Sequence, residues 1–444
     1  MADLDLLLAS RRITSGGLGR PAVGAVFGHS FAARAHVAAT NSTYGREIHK
    51  GVSGIAAWLE ALGGGRIVMP AALNFGVSGE NTTQMRARLA AVVATAVAGG
   101  ADFVTFFGLC NDVLSTAAQR AATIENITAI AKAFTDAGIL FCISGDAPAG
   151  GASDTTFRRT GDQLKGFMAL RRWCLEVLPS LMPGILAYDI YDKVCLPGST
   201  TGDADPRFFQ TDLLHPSSAF YADAVAPALA PLLLARYPGI VTAPEASNSE
   251  PFDAAVNPRG NILLNGMMDG DSSGLANSWN SPGGNGATVT PSKVASADGP
   301  WSWQQVVLGG TATAAGGETV VLQQQLNAAQ LAMILAGDRL QLDGLVEIDA
   351  GFANIRSLYV RFGIFETANG GNTYQARSFT AGAQGVDRLT NRAYKLYHRT
   401  PMLEFPAGSL TAGLSGTVRV VAVADTAAAI GGTVRAGRMR LHKV

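Results

Sequence analysis

The residue types best suited to chemistry in this chain form two short motifs, one near residue 30 and one near residue 215. Phe27-Gly28-His29-Ser30 follows an apolar run, and the glycine allows a sharp turn that can present the serine hydroxyl as a nucleophile. Asp212-Leu-Leu-His215 places an aspartate three residues before a histidine, so the carboxylate can orient the imidazole and leave its other nitrogen as a general base. Taken singly, each motif is also typical of an ordinary turn. Together they could perform acyl transfer.

Two further motifs could supply hydrogen-bond donors to the same reaction. Gly79 lies just before a stretch of helical spacing, where its backbone N–H could bind an anion. Asn111 follows another short apolar run and could donate from its side-chain amide. The competing interpretation is that Gly79 is an ordinary loop glycine and that Asn111 or Asp112 caps the next helix.

The elements that must position these residues alternate between strands and helices from about residue 20 to 237. The apolar runs are Ala22–Phe27, Arg66–Pro70, Asp102–Phe107, Ile139–Ser144 and Ile185–Ile190, and the helical stretches are Arg46–Leu62, Thr83–Ala98, Ser115–Ala137, Gly161–Leu178 and Ser217–Tyr237. This alternation predicts βαβ units and a parallel sheet. We expect residues 1–240 to form a flavodoxin-like three-layer αβα sandwich with a five-stranded parallel sheet. Ligands of such folds bind at the carboxyl ends of the strands, where all four motifs fall.

In this order, the four motifs resemble the blocks of the SGNH (GDSL-like) hydrolases. The matching segments are Gly28-His29-Ser30, Ser78-Gly79-Glu-Asn-Thr82, Asn111-Asp112 and Asp212-Leu-Leu-His215. The resemblance implies Ser30 as nucleophile, His215 as base and Asp212 as its orienting partner. It also implies that an oxyanion would be bound by the N–H groups of Ser30 and Gly79 and by the side chain of Asn111. No cofactor is implied.

Two positions depart from the pattern of that family. His29 stands where the family has an aspartate, and because side chains alternate near a strand end, we expect it to face away from a substrate. Leu109 stands where a glycine is usual, which predicts a bulkier wall beside Asn111 and a modest acyl pocket. Neither departure removes a reacting group.

The character of the chain changes after a polar, proline-containing linker at residues 241–258. Residues 259–444 contain Gly-rich turns between alternating runs, including Glu318–Gln323, Arg339–Ile348, Arg356–Phe365 and Thr417–Ala424. This pattern predicts an all-β sandwich and resembles a jelly-roll carbohydrate-binding module. Its tryptophans, Trp279, Trp301 and Trp303, could stack on sugar rings or could be packing residues. Alternatively, this domain could drive oligomerisation or anchoring and bind no sugar.

Composition limits the partners and the compartment. Apolar residues make up 48% of the chain, which excludes a disordered protein, and 34 basic residues balance 34 acidic ones, so we expect no nucleic-acid partner. The apolar stretches are shorter than the roughly 20 residues needed to span a bilayer, and the N-terminus does not resemble a Sec signal peptide. We therefore expect a soluble protein without a membrane partner. No cluster has the spacing of metal ligands. Extracellular, virion-associated and cytoplasmic locations all fit the sequence.

These observations favour a serine esterase acting on short-chain acyl esters, in particular acetyl esters of a carbohydrate or polysaccharide. Because His215 must be neutral to act as base, we expect activity to fall on the acid side. One alternative is a phage tail or adhesion component whose β-sandwich binds glycan or drives assembly. Another is a thioesterase or lysophospholipase, in which Phe106, Phe107 and Leu109 would line a longer acyl pocket.

Overall fold

The computed structural model describes two compact units. The described residues are 20–36, 40–42, 45–52, 54–153, 155–238, 248, 250–297, 299, 301–367, 371–380 and 389–444, with side chains described outside 40–50 and 372. Met1–His36 and Ser53–Thr242 form the first unit, and Val37–Val52 and Ala243–Val444 form the second. Residues 1–19, where the sequence was compared with a signal peptide, and residues 241–247 of the predicted linker lie outside the described residues.

Strands and helices alternate along the first half of the chain. The strands are β1 Ala22–Gly28, β2 Thr40–Ser42, β3 Gly45–Gly51, β4 Ile67–Val68, β5 Asn74–Gly76, β6 Phe103–Phe107, β7 Leu140–Ser144 and β8 Ile185–Tyr188. The helices are α1 Ser30–Ala33, α2 Ile55–Leu62, α3 Thr82–Ala87, α4 Leu89–Ala98, α5 Ala117–Asp136, α6 Gly161–Arg172, α7 Leu178–Leu181, α8 Tyr191–Val194 and α9 Ala226–Arg236. A π-helical turn joins α6 to α7, and another precedes α9.

The sheet of the first unit is parallel, and its strand positions follow the order β4/β5, β1, β6, β7, β8. The short strands β4 and β5 both pair with β1, one after the other, so they share one position beside it. All residues of β6 and β7 are buried, as expected for strands covered on both faces. The five positions have flavodoxin-like order, so the predicted fold class is confirmed for this half of the chain.

Local sequence explains why the longest helix forms where it does. Thr116 and Gln119 form a capping box at the start of α5, each side chain accepting a hydrogen bond from the backbone N–H of the other. Ile127, Ile130 and Phe134 recur on one face of the helix and are buried in the core under the sheet. The helix therefore follows the Asn111 segment closely along the chain and packs against the sheet.

The described residues of the second unit form two six-stranded sheets. Besides β2 and β3, which were given above, its strands are β9 Ala287–Ala295, β10 Ser302–Gly310, β11 Glu318–Leu326, β12 Arg339–Ile348, β13 Ile355–Glu366, β14 Asn372–Thr380, β15 Tyr394–Arg399, β16 Leu403–Glu404, β17 Leu414–Ala424 and β18 Gly432–Lys443. A short helix, α10, lies at Ala328–Ala332. One sheet has the order β15-β12-β18-β10-β9, with β16 beside β12, and the other has the order β11-β17-β13-β14-β3-β2. Buried aliphatic and aromatic residues alternate along β13 and β17, which confirms the predicted all-β sandwich.

The second unit contains a segment that the sequence places in the first domain. Strand β3 pairs in parallel with β14, from Gly45 opposite Thr373 to His49 opposite Arg377, and β2 pairs with β3. The predicted helix Arg46–Leu62 is therefore wrong over its first part, and helix forms only from Ile55. The chain leaves the first unit after His36 and returns to it at Ser53.

The tryptophans of the second unit are packing residues. Trp279, Trp301 and Trp303 are all buried, and the rings of the last two lie 4.5 Å apart. The indole N–H of Trp279 donates to the carbonyl oxygen of Asn265. None of the three presents an exposed ring face on which a sugar could stack.

In the part of the chain that the structure describes, no helix is long and apolar enough to cross a membrane. No group of three or more His, Cys, Asp or Glu side chains among these residues could hold a metal ion.

Candidate active site

Ser30 lies on a tight turn directly after β1. Gly28 ends the strand with a φ of 144°, and a side chain at this position would overlap the carbonyl oxygen of Phe107, so the turn requires glycine. Ser30 begins α1 and is 8% exposed. Within the described residues, its backbone N–H donates to no protein acceptor, as is usual for the first residue of a helix. A hydroxyl and an unused donor thus lie on the same turn.

Three strand ends lie level with one another beneath this turn. The parallel registers place Gly28 of β1 opposite Gly76 of β5 and Phe107 of β6. The N–H of Val77 donates to Gly28, and the N–H of His29 donates to Phe107, both at 2.9 Å. Residues that follow these strands by a few positions must therefore emerge at the same edge of the sheet.

Asp212 and His215 form a hydrogen-bonded pair within one turn. His215 Nδ1 lies 2.5 Å from Asp212 Oδ2, and Asp212 Oδ1 accepts the backbone N–H groups of Leu214 (3.0 Å) and His215 (2.9 Å). Burial alone would raise the pKa of Asp212, but these hydrogen bonds outweigh it and hold the pKa below its ordinary value. Since Asp212 engages Nδ1, Nε2 is the other ring nitrogen of an imidazole that is 21% exposed.

Contacts from α1 tie this turn to the Ser30 turn. The guanidinium of Arg34 donates to the side chain of Gln210 at 3.3 Å, and the N–H of Gln210 donates to the carbonyl of His215 at 2.8 Å. The hydroxyl of Tyr221 donates to the carbonyl of Phe31. Ser30 and His215 therefore lie on segments packed against each other, although no hydrogen bond joins their side chains among the described residues.

Gly79 and Asn111 lie on loops that are joined to each other. Gly79 has a φ of 84°, and its N–H has no protein acceptor within the described residues. Asn111 Nδ2 donates to the carbonyl oxygen of Glu80 at 2.9 Å, which uses one of its two amide hydrogens. An unused backbone donor and an amide group are thus held on adjacent loops at the sheet edge.

Asp112 anchors these loops and does not cap the next helix, whose cap is Thr116. Its carboxylate accepts the N–H (3.1 Å) and the hydroxyl (2.6 Å) of Thr82, and the hydroxyl of Thr123 at 3.2 Å. Burial raises the pKa of Asp112, and the hydrogen bonds from Thr82 offset part of this rise. The carboxylate therefore connects the start of α3 to the Asn111 loop and to α5.

His29 and Leu109, which depart from the family pattern, both point into the protein. His29 is fully buried, and its Nδ1 accepts the N–H of Phe31 at 3.3 Å, which caps α1. Leu109 is buried in the core with Leu114.

Asp146 is a buried residue of this region that sequence reasoning missed. It lies 3.6 Å from His29 Nε2 and accepts the N–H of Leu109 at 3.0 Å. The sequence does contain a hint of it: a charged residue follows the apolar run Ile139–Ser144 closely, just as candidate site residues follow β1, β5 and β6.

No family model and no curated protein matches this chain. Among solved structures, a catalytic mutant of an acetylxylan esterase from Geobacillus stearothermophilus is 14% identical, with 50% of this chain and 97% of that one covered and a TM-score of 0.32. A carbohydrate esterase family 3 structure from Talaromyces cellulolyticus is 12% identical, with 48% and 97% covered and a TM-score of 0.32. A xylan-binding domain from Paenibacillus barcinonensis is 16% identical, with 43% and 98% covered and a TM-score of 0.26.

Proposed function

We propose that this protein is a serine esterase that hydrolyses short-chain acyl esters, in particular acetyl esters of a carbohydrate or polysaccharide. The observation that carries the proposal is the hydrogen-bonded Asp212–His215 pair on a turn packed against the helix that begins with Ser30. An imidazole oriented by a carboxylate beside a serine is the arrangement needed for nucleophilic acyl transfer.

The reaction proceeds in two halves. His215 Nε2 accepts the proton of the Ser30 hydroxyl as Oγ attacks the ester carbonyl carbon, and the carbonyl oxygen becomes an oxyanion. When the C–O bond to the alcohol breaks, His215 returns the proton to the leaving oxygen and an acyl-serine remains. Water then attacks the acyl carbon, with His215 accepting its proton, and the carboxylic acid leaves as the Ser30 hydroxyl is restored. No cofactor is needed for either half.

The oxyanion would be stabilised by donors already free at the sheet edge. The N–H groups of Ser30 and Gly79 have no protein acceptor among the described residues, and Asn111 retains one amide hydrogen. Fixed donors aimed at a developing oxyanion typically contribute about 3 kcal/mol each to lowering the barrier.

Burial of the neighbouring apolar side chains favours a short acyl group over the long chain of a lysophospholipid or a long-chain thioester. Phe106, Phe107 and Leu109 would have to line a long groove, and all three are buried in the core. The carbohydrate part of the proposal rests on the resemblance of residues 259–444 to a carbohydrate-binding module. Polysaccharide bound there would contact a surface other than the three buried tryptophans.

Hydrolysis of p-nitrophenyl acetate, butyrate and octanoate by the full chain tests the proposal. We expect acetate to be turned over best and Ser30→Ala to reduce the rate by at least about 10³-fold, since the nucleophile is lost. Ser180→Ala removes an exposed serine hydroxyl far from these motifs in sequence and should match wild type. Equal rates for wild type and Ser30→Ala, or preference for octanoate, would contradict the proposal.

A further inference from the structure

One buried carboxylate lies against two of the segments that carry candidate site residues, those of Ser30 and Asn111. Asp146 follows β7 and has a φ of 64°, an uncommon conformation for a residue other than glycine, in which Asp and Asn are tolerated best. Its Oδ1 accepts the N–H of Ala147 at 2.9 Å, and its Oδ2 accepts the N–H of Leu109 at 3.0 Å. Leu109 lies two residues before Asn111, so Asp146 fixes the backbone that leads to this candidate oxyanion donor.

The other contact of Asp146 is with the residue before Ser30. Because His29 Nδ1 accepts the N–H of Phe31, the proton of the neutral ring must be on Nε2. Nε2 lies 3.6 Å from Asp146 Oδ2, and the two side chains are 0% and 3% exposed. Among the described residues, Nε2 makes no hydrogen bond, and the Asp146 carboxylate is a charged group that faces it across this distance. The imidazole thus spans the distance from the first turn of α1 to the end of β7.

The pKa of Asp146 lies below its ordinary value. Burial would raise it, but the nearby imidazole of His29, the guanidinium of Arg159 and the N–H of Ala147 together outweigh this effect. Arg159 is itself buried and donates to the carbonyl of Ala147 at 2.8 Å. The carboxylate therefore remains ionised as an acceptor under the catalytic turns.

We propose that Asp146 and His29 are positioning residues, which together hold the Ser30 turn and the Asn111 turn in a fixed relation. Neither side chain touches the reacting atoms. Their effect is exerted through the backbone N–H groups of Phe31 and Leu109. The proposal rests on the esterase function for its kinetic consequence, but the geometry of the pair can be tested without turnover.

Two substitutions and their combination test the kinetic consequence on p-nitrophenyl acetate. Asp146→Asn suits the backbone conformation but removes the charge, and His29→Asn keeps an acceptor that can cap α1 but is too short to reach Asp146. We expect each to lower kcat by about 10- to 100-fold with KM changed less than twofold, because misplaced catalytic groups slow the chemical step more than they weaken binding. The double variant should be no slower than the slower single variant. Multiplicative losses, or unchanged kcat in a folded Asp146→Asn protein, would overturn the proposal.

A control and a spectroscopic measurement separate this proposal from the esterase function. Asp343→Asn removes a carboxylate that is fully buried in the second unit and should lower stability without lowering kcat. In ¹⁵N NMR of the wild-type chain, we expect the ring proton of His29 on Nε2 and none on Nδ1, because Nδ1 accepts the N–H of Phe31. A proton on Nδ1 overturns the proposed pair whatever the activity. If the wild type shows this tautomer but hydrolyses no ester, the esterase function fails while the pair remains.

Discussion

At the scale of single residues, Asp212 has two tasks that are carried out by different oxygens. Oδ1 accepts two backbone N–H groups and so shapes the turn, in which Leu213 has a φ of 49°. Oδ2 contacts the imidazole of His215. Because different oxygens make these contacts, a substitution at Asp212 can preserve the turn and still lose the orientation of the imidazole ring.

Asp212→Asn should lower kcat/KM for p-nitrophenyl acetate by about 10²- to 10⁴-fold while the protein remains folded. The amide oxygen can still accept the two backbone N–H groups, but the amide N–H₂ would face His215 Nδ1 and favour the tautomer with the proton on Nε2, which cannot accept a proton from Ser30. Asp136→Asn, an exposed aspartate paired with Lys132 at a helix end, is the matched control and should not change the rate.

Measuring the same rate across a range of pH shows in which direction activity changes on acidification. Asp212 stays a carboxylate above its lowered pKa, so its own protonation does not limit the reaction there. A general base must be neutral to accept the proton of Ser30, so the rate of the wild type should fall on acidification. A rate that does not fall before the protein unfolds would contradict the assignment of His215 as base, as would wild-type activity in Asp212→Asn.

At the scale of elements, the sequence predicts where most strands of the first unit lie. It does not predict the hydrogen bonds that join the segments following these strands to one another. Apolar runs ending in Gly or polar residues located β1, β6, β7 and β8, because parallel strands buried on both faces are almost continuously apolar. The three-residue strand β5 is too short to show a hydrophobic pattern by which a strand could be recognised. The contacts of Asp146 with Leu109 and of Asp112 with Thr82 are tertiary, joining residues 37 and 30 positions apart, so no local pattern contains them.

Asp112→Asn should test whether the anchoring of loops matters to the site. Asp112 accepts three hydrogen bonds from Thr82 and Thr123, whereas an amide in its place has one acceptor oxygen, so both hydroxyls must turn to accept from its N–H₂ group or lose their partner. We expect the free energy of unfolding in urea to fall by about 1–3 kcal/mol, and kcat to fall as the Gly79 and Asn111 loops lose their connection. The exposed Asp136→Asn should change stability by less than about 0.5 kcal/mol. Equal stability and kcat in both variants would show that the anchor is dispensable.

At the scale of the whole molecule, the chain does not divide into two contiguous segments. Composition marks the change of character near residue 241, but it cannot show that Val37–Val52 belongs with the second unit. The segment is short, and its last residues run into the apolar spacing of α2, so periodicity merges the two into one helix. Pairing with β14 decides its conformation, and that partner lies more than 300 residues away.

This interleaving predicts how fragments of the protein behave. A fragment of residues 243–444 lacks β3 and exposes the backbone N–H and C=O groups along one edge of β14, which favours pairing with other chains. We expect the fragment to self-associate in size-exclusion chromatography with light scattering at concentrations where the full chain does not. Adding a peptide of residues 37–52 should reduce this association, whereas a scrambled peptide should not, because only the native sequence fits the register from Thr373 to Thr380. A fragment that stays monomeric, with or without the peptide, would mean that β14 tolerates an open edge and that β3 contributes little to the sandwich.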